Sequence, residues 1–441
     1  MNAVWAKGAH LAALTKLRCD WSGSDRRICA LLGARGFPGR ATIRSLAKSG
    51  HRVRDPLHRS ACQIAGRASL DPLPTTVRSN FVESIAFING SHRSEGIHVI
   101  NEQLFRAALD AGYNVRWYDC IDPHRRDRLG PQGTPIPGKA IPFVTLEMGL
   151  NRIWTFPRAL RRLRSERLYL GDPTFLNALT DDLGRRAVVH VHDLRPLSPF
   201  ADRWATGALL RHTLPRLCVA RRIRVPTRHL ARELDERFGV SDKTVVLAPY
   251  SELPPDRGRM HRDASLRRRE ASEPLRVLYV AQDRPYKNIP FFLELASGFE
   301  RIPESRVRFR LVSKLTARTA DRLRRDHPSN LEHVDFVRDR QSIYEDSDVL
   351  LFPSLYEGFG LPVLEAMARG MPVVASDIPP LRELFESGGR LLPLNDTSLW
   401  SDEILRLADP TTYRAASDRA LSGAAEFSYE RFRAALPRLL D

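Results

Sequence analysis

Two glutamates eight positions apart stand in Phe352-Pro-Ser-Leu-Tyr-Glu357-Gly358-Phe359-Gly360-Leu361-Pro362-Val-Leu-Glu365-Ala-Met-Ala-Arg-Gly370. A carboxylate can accept hydrogen bonds from both hydroxyls of a diol, so such a pair suits a ribose or a hexose. A short apolar run ends at Phe352, and a glycine-bearing loop follows. Pro362 sits where the first turn of a helix favours proline. Backbone N–H groups near Gly358–Leu361 are then expected to point outward at a helix start, a place for a diphosphate or a cluster of hydroxyls.

Cations for such an anion lie in Val280-Ala-Gln-Asp-Arg284-Pro-Tyr-Lys287-Asn288. Arg284 and Lys287 could make charge-assisted bonds to such an anion. Further upstream, Val188-Val-His190-Val-His192-Asp193 alternates in polarity and stops before Pro196. That puts His192 and Asp193 at the C-terminal end of a parallel strand, where such sheets bind ligands. His190 and His192 share a strand face, but no third ligand is evident and no metal is expected. Gly96 opens a helix after the loop Gly90–Gly96; its N–H groups could approach a phosphate or an acceptor, and a plain strand–helix turn reads equally well. Asp172 follows a candidate strand and could face the same cleft; Glu383, after the segment Ser376-Asp377-Ile-Pro-Pro that ends another strand at that cleft, reads as a site acid or equally as a structural one.

The stretch from Phe352 to Asp377 closely resembles the Glu-x7-Glu motif of retaining glycosyltransferase family 4, with its GT-B fold; the resemblance covers residues 84–440. It implies that Glu357 approaches the transferred sugar, that Glu365 holds the nucleotide ribose, and that His192 contacts the sugar from across a cleft. It also implies an Arg and a Lys against the donor diphosphate. Lys287 with Asn288 fits. The arginine of the family lies earlier in the loop, so either a shift of the loop brings Arg284 in or the second cation is absent. The implied chemistry is front-face displacement without a bound metal or cofactor. The donor would be a GDP- or UDP-linked sugar, with a lean toward mannose; the acceptor would be a glycan, a lipid-linked glycan or a small molecule. The alternatives are a sugar-nucleotide epimerase, which the two glutamates argue against, and a catalytically silent sugar-binding or scaffold subunit, which only the shifted arginine favours.

These residues need a scaffold of alternating strands and helices. Strands are expected at 84–89, 114–119, 167–171, 187–193, 223–226 and 244–248, with a helix from Ile97 to Ala111. A second series begins at Arg276, with strands at 307–312, 331–336, 348–352 and 372–376, and closing helices at 402–407 and 429–440. The reading is an α/β GT-B chain of two doubly wound parallel-sheet domains. Residues 81–250 form the acceptor domain, 251–275 a charged linker, 276–426 the donor domain and 427–441 a closing helix. Pro157–Leu168 reads as a basic helix with Leu160, Leu163 and Leu168 along one side. That surface could touch an anionic membrane or simply be solvated.

Composition bounds the rest. The 441 residues carry 69 Lys+Arg against 52 Asp+Glu, a net charge of +17. Taken alone, that suggests nucleic acid or an anionic membrane. Yet residues 1–80 hold 14 Lys/Arg, 4 Asp and no Glu, so +10 of the excess precedes Glu83, and no aromatic-basic motif supports nucleic-acid binding. Residues 1–80 read as a disordered or miscalled extension. The five cysteines form no CxxC pair, which fits a reducing cytoplasm. No apolar run is long enough to span a membrane.

Overall fold

The computed structural model describes residues 84–90, 96–121, 134–139, 150–163, 167–201, 204–302, 305–326, 328–335, 337, 342–385 and 389–441. The expected extension 1–80 and loop residues 91–95 lie outside them. All the described residues belong to one unit.

The first sheet has seven strands: β1 (Ile85–Asn89), β2 (Val115–Ile121), β3 (Thr134–Pro137), β4 (Arg167–Leu170), β5 (Ala187–His190), β6 (Arg222–Val225) and β7 (Thr244–Val246). The second has six: β8 (Leu275–Val280), β9 (Val307–Val312), β10 (Leu331–Val334), β11 (Val349–Phe352), β12 (Val373–Ser376) and β13 (Arg390–Leu392). Their orders are β3-β2-β1-β4-β5-β6-β7 and β10-β9-β8-β11-β12-β13, and every pairing is parallel. Strands covered by helices on both faces are apolar throughout rather than alternating. Val349-Leu-Leu-Phe352 is fully buried, as is Ile85-Ala-Phe-Ile-Asn89. In each sheet the strand order reverses beside the first strand, between β1 and β4 and between β8 and β11. Crevices for ligands open at the carboxyl ends of strands at such a reversal. The loops there carry Asp172 and, one strand on, His192 in the first sheet; in the second they carry Lys287 and Glu357.

Two expectations about helices change. Residues 157–168 are not one helix: helical turns at Asn151–Thr155 and Phe156–Leu160 end at Arg161, and Arg167–Leu170 is β4. Leu168 is fully buried between β1 and β5, so its burial in the sheet overrides the helical spacing. The charged stretch 251–275 is mostly a helix, Pro255–Glu270. It packs on the second domain through Gly258, whose Cα faces the Ala368 carbonyl too closely for any Cβ. His261 adds contacts to the carbonyls of Arg369 and Tyr344 at 3.2 and 3.0 Å.

The chain crosses between domains twice. Ser251 N donates to Phe427 O at 3.1 Å where the crossings meet. The last helix, Tyr429–Leu440, returns to the first domain and buries Phe432, Leu436, Leu439 and Leu440 against Phe87, Trp117 and Tyr169. Each such side chain stabilises by about 1.5–3 kcal/mol at most. The two sheets are thereby held facing one another across the cleft.

Candidate active site in the cleft

Glu357 and Lys287 come from the loops after β11 and β8 and meet directly. Lys287 Nζ donates to Glu357 Oε1 at 2.5 Å, and the two side chains are only 15% and 9% exposed. The Lys287 ammonium also lies 5.3 Å from the Phe352 ring centre and 5.4 Å from that of Tyr286. Below them, the Tyr279 hydroxyl donates to the Lys287 carbonyl. Burial, with Glu357 nearby, holds the Tyr279 phenol well above its ordinary value, so it stays a donor. Asn288 enters the following helix, Ile289–Glu300, in the left-handed region at φ 56°, which asparagine tolerates.

Gly358 faces the first domain. A Cβ on it would fall on the His192 carbonyl oxygen and stand 3.1 Å from Asp193 Cβ. Glycine is therefore required by the close approach of two domains. Gly360 meets a second requirement, with φ 106° at the cap of the helix Leu361–Met367. Phe359 turns inward to Phe427, with ring centres 5.7 Å apart, and Leu361 lies beside Gly96. Gly358→Ala should leave both domains folded yet hold the cleft open. The expected result is a drop of roughly tenfold in whatever turnover the cleft supports, with an unchanged melting temperature. Wild-type kinetics would sink the reading.

Glu365, on the helix after the loop, accepts from the Tyr344 hydroxyl at 2.5 Å, and Arg369 Nη1 donates to its carbonyl at 2.7 Å. The Arg369 guanidinium stacks on Tyr344 at 4.4 Å, which fixes the tyrosine.

Across the cleft, His192 Nε2 is 3.8 Å from Asp193 Oδ2. Asp193 Oδ1 accepts from Arg195 N at 3.1 Å, which shapes the turn into Arg195–Leu197. Asp172 accepts from Thr174 N at 2.7 Å and lies 3.5 Å from Arg152. Burial pushes its carboxyl up, but Arg152, His192 and Thr174 together outweigh that and hold it below the usual carboxylate range. Asp172 thus stays ionised behind His192. His190 is fully buried beneath, its Nδ1 3.2 Å from Asn101 Oδ1. Burial first, then Arg224 and His192, keep its pKa well below the ordinary histidine value. It is a neutral core side chain.

Two expected residues have other surroundings. Arg284 is exposed, at the N-cap of the turn Pro285–Lys287. Glu383 accepts from the backbone amides of Arg228 and His229, so it caps the helix Arg228–Phe238 of the opposite domain. Sequence reading passed over Tyr286, Tyr356 and Arg195. Leu194 N donates to the Tyr356 hydroxyl at 3.1 Å, and the Arg195 guanidinium lies 4.7 Å over the Tyr286 ring. Tyr286 and Tyr356 adjoin Lys287 and Glu357, and Arg195 stands two residues after Asp193; that nearness is the only signal the sequence offers. Among the described residues, no group of three or more His, Cys, Asp or Glu gathers to hold a metal ion.

Two parallel sheets of this order, facing across a cleft that gathers their loop residues, define the GT-B architecture. Residues 274–409 match the family model described as Glycosyl transferases group 1. In sequence the chain is similar to O-antigen chain mannosyltransferase B of Escherichia coli, 32% identical over 164 residues, covering 35% of this chain and 42% of that protein. It is also similar to the D-inositol 3-phosphate glycosyltransferase of Saccharomonospora viridis, 39% identical over 97 residues, 21% of this chain and 22% of that one. The chain thus spans less than half the length of these relatives. In structure it is similar to Anabaena Alr3699/HepE in complex with UDP and glucose, with TM-score 0.63, 16% identity, and 81% and 99% of the two chains covered. A second similar structure is WaaG, a glycosyltransferase involved in lipopolysaccharide biosynthesis, with TM-score 0.59, 15% identity and the same coverages.

Proposed function

We propose that this chain is a retaining glycosyltransferase of the family 4 type. It moves a hexose from a nucleotide sugar to a glycan, lipid-linked or small-molecule acceptor. The observation that carries the reading is the half-hidden Lys287–Glu357 pair, set where the glycine loop abuts His192 of the other domain. Lys287 would take the leaving diphosphate, Glu357 the sugar hydroxyls, His192 the sugar from the far side and Glu365 the ribose. In this reading the glycosidic carbon–oxygen bond breaks toward the diphosphate. The departing phosphate oxygen takes the acceptor proton as the new bond forms on the same face. The narrow cleft excludes water and so limits donor hydrolysis. No metal or cofactor is assigned.

Mannose is the favoured sugar, supported by the likeness to an O-antigen chain mannosyltransferase. Melting-temperature shifts with GDP-mannose and UDP-hexoses, followed by release of the nucleoside diphosphate, test donor and activity together. Binding without turnover on every donor would favour a silent sugar-binding subunit. No binding at all would end the reading.

Among the described residues no helix is long and apolar enough to cross a membrane. We place the enzyme in the cytoplasm, with the basic turn at Pro157–Leu163 against an anionic membrane face. Salt-sensitive pelleting with anionic vesicles is the expected sign; its absence would remove that contact.

A further inference from the structure

A sugar-linked diphosphate is dianionic, and the released nucleoside diphosphate carries more charge still. The donor loop answers it with Lys287, whose charge is already matched by Glu357 at 2.5 Å. Arg284, the other cation of that loop, is exposed. The first domain supplies a third. Arg195 reaches over the ring of Tyr286 at 4.7 Å, and Lys287 lies over the same ring at 5.4 Å. The sum of those distances is an upper limit on the separation of the two cations, and it lies within the reach of two adjacent phosphoryl groups with their hydrogen-bonded cations.

Building on the glycosyltransferase reading, we propose that Arg195 is the second diphosphate cation, contributed by the acceptor domain rather than by the donor loop. Its place is fixed at both ends. Asp193 Oδ1 accepts its backbone N–H at 3.1 Å, and Asp193 Oδ2 lies 4.0 Å from its Nε. Tyr356 accepts the N–H of Leu194 at 3.1 Å, so the residue just before Arg195 is tied to the donor domain. Tyr356 stays a neutral phenol, because burial, with Asp193 and Glu233 nearby, raises its pKa. Tyr286 is a flat platform that orients the guanidinium by stacking, and a planar fork suits two phosphate oxygens at once. A cation from the opposite domain also couples two events. The diphosphate is fully neutralised only when the domains are closed, so leaving-group stabilisation and exclusion of water arrive together.

The test separates a phosphate contact from a cross-cleft staple. Affinities of GDP, GMP, UDP, UMP and ADP are measured by calorimetry on the full chain and on Arg195→Ala, Arg195→Lys and Arg284→Ala. A guanidinium bound to the second phosphate predicts that Arg195→Ala loses about tenfold for the diphosphate that binds, while its monophosphate stays within about twofold. Arg195→Lys, which keeps the charge but not the fork, recovers part of the loss. Equal losses for diphosphate and monophosphate would make Arg195 a staple only and overturn the assignment. So would a diphosphate-selective loss in Arg284→Ala instead. If the wild type binds none of the five nucleotides, the glycosyltransferase reading falls and takes this inference with it. If Lys287→Ala abolishes transfer while Arg195→Ala binds normally, only this inference fails.

Discussion

Lys287→Ala is expected to lower donor turnover at least tenfold, toward the hundredfold typical of losing one preorganised group at a developing charge. Two losses act together. The leaving diphosphate loses a cation in a site from which water is largely excluded, where each such contact counts for more than in bulk solvent. Glu357, 9% exposed and held by Lys287 at 2.5 Å, is left as a nearly buried carboxylate without that partner. The charge at the phosphate is greatest in the transition state, so kcat should fall more than the donor KM rises. Lys287→Arg should restore part of the rate, because a cation returns even though the fork is wider than an ammonium. Lys287→Met keeps most of the volume and should behave like alanine. Initial rates over a donor series at fixed acceptor would settle the matter; a variant within twofold of wild type in kcat rules out the assigned role.

The residues of this pair were legible because each sits in a short motif whose spacing is local. Glu357 and Glu365 needed only a strand end, a glycine loop and a helix start. Those elements form where the apolar run and Pro362 imply. His192 needed only a strand that ends before Pro196. The partners across the cleft were illegible for the converse reason. Arg195 and Tyr286, or Leu194 and Tyr356, become neighbours only when two sheets face one another, and no period or spacing in one segment encodes that. Glu383 shows the same limit. Its position after β12 suggested a donor-site acid, yet its carboxylate is satisfied by the amides that open the helix Arg228–Phe238. Most strands were plain in the sequence because burial on both faces makes them continuous apolar runs. β3 and β13 escaped notice as short strands at the outer ends of their sheets, Thr134-Pro-Ile-Pro and Arg390-Leu-Leu.

The helix Pro255–Glu270 was read as a linker because it has no apolar stripe, and what anchors it instead gives the second large expected effect. Asp348 is fully buried beside the start of β11. Its Oδ1 accepts from Arg268 Nε at 2.9 Å and Nη2 at 2.6 Å, and its Oδ2 accepts from Arg269 Nη2 at 3.2 Å and from Arg276 N at 3.0 Å. Arg269 is 2% exposed and also donates to the carbonyls of Glu273 and Pro274, so the end of the helix is bound through charge rather than through hydrophobic contact. Removing the carboxylate these guanidiniums share leaves Arg269 charged and buried. A broken buried pair of this kind costs about 3–5 kcal/mol. Asp348→Ala should therefore lower the denaturant midpoint sharply. Asp348→Asn, which keeps the shape but loses the charge and turns one acceptor oxygen into an amide donor facing N–H groups, should do nearly as much damage. The triple variant Asp348→Ala/Arg268→Met/Arg269→Met should recover stability, since no unpaired charge then remains inside. Trypsin adds an independent reading: in Asp348→Ala the arginines of the helix should be cut early, while the wild type resists. If the single variants unfold at the wild-type midpoint, the helix is held by something other than this network. If the triple variant fails to recover, packing of the arginine stems matters more than their charge.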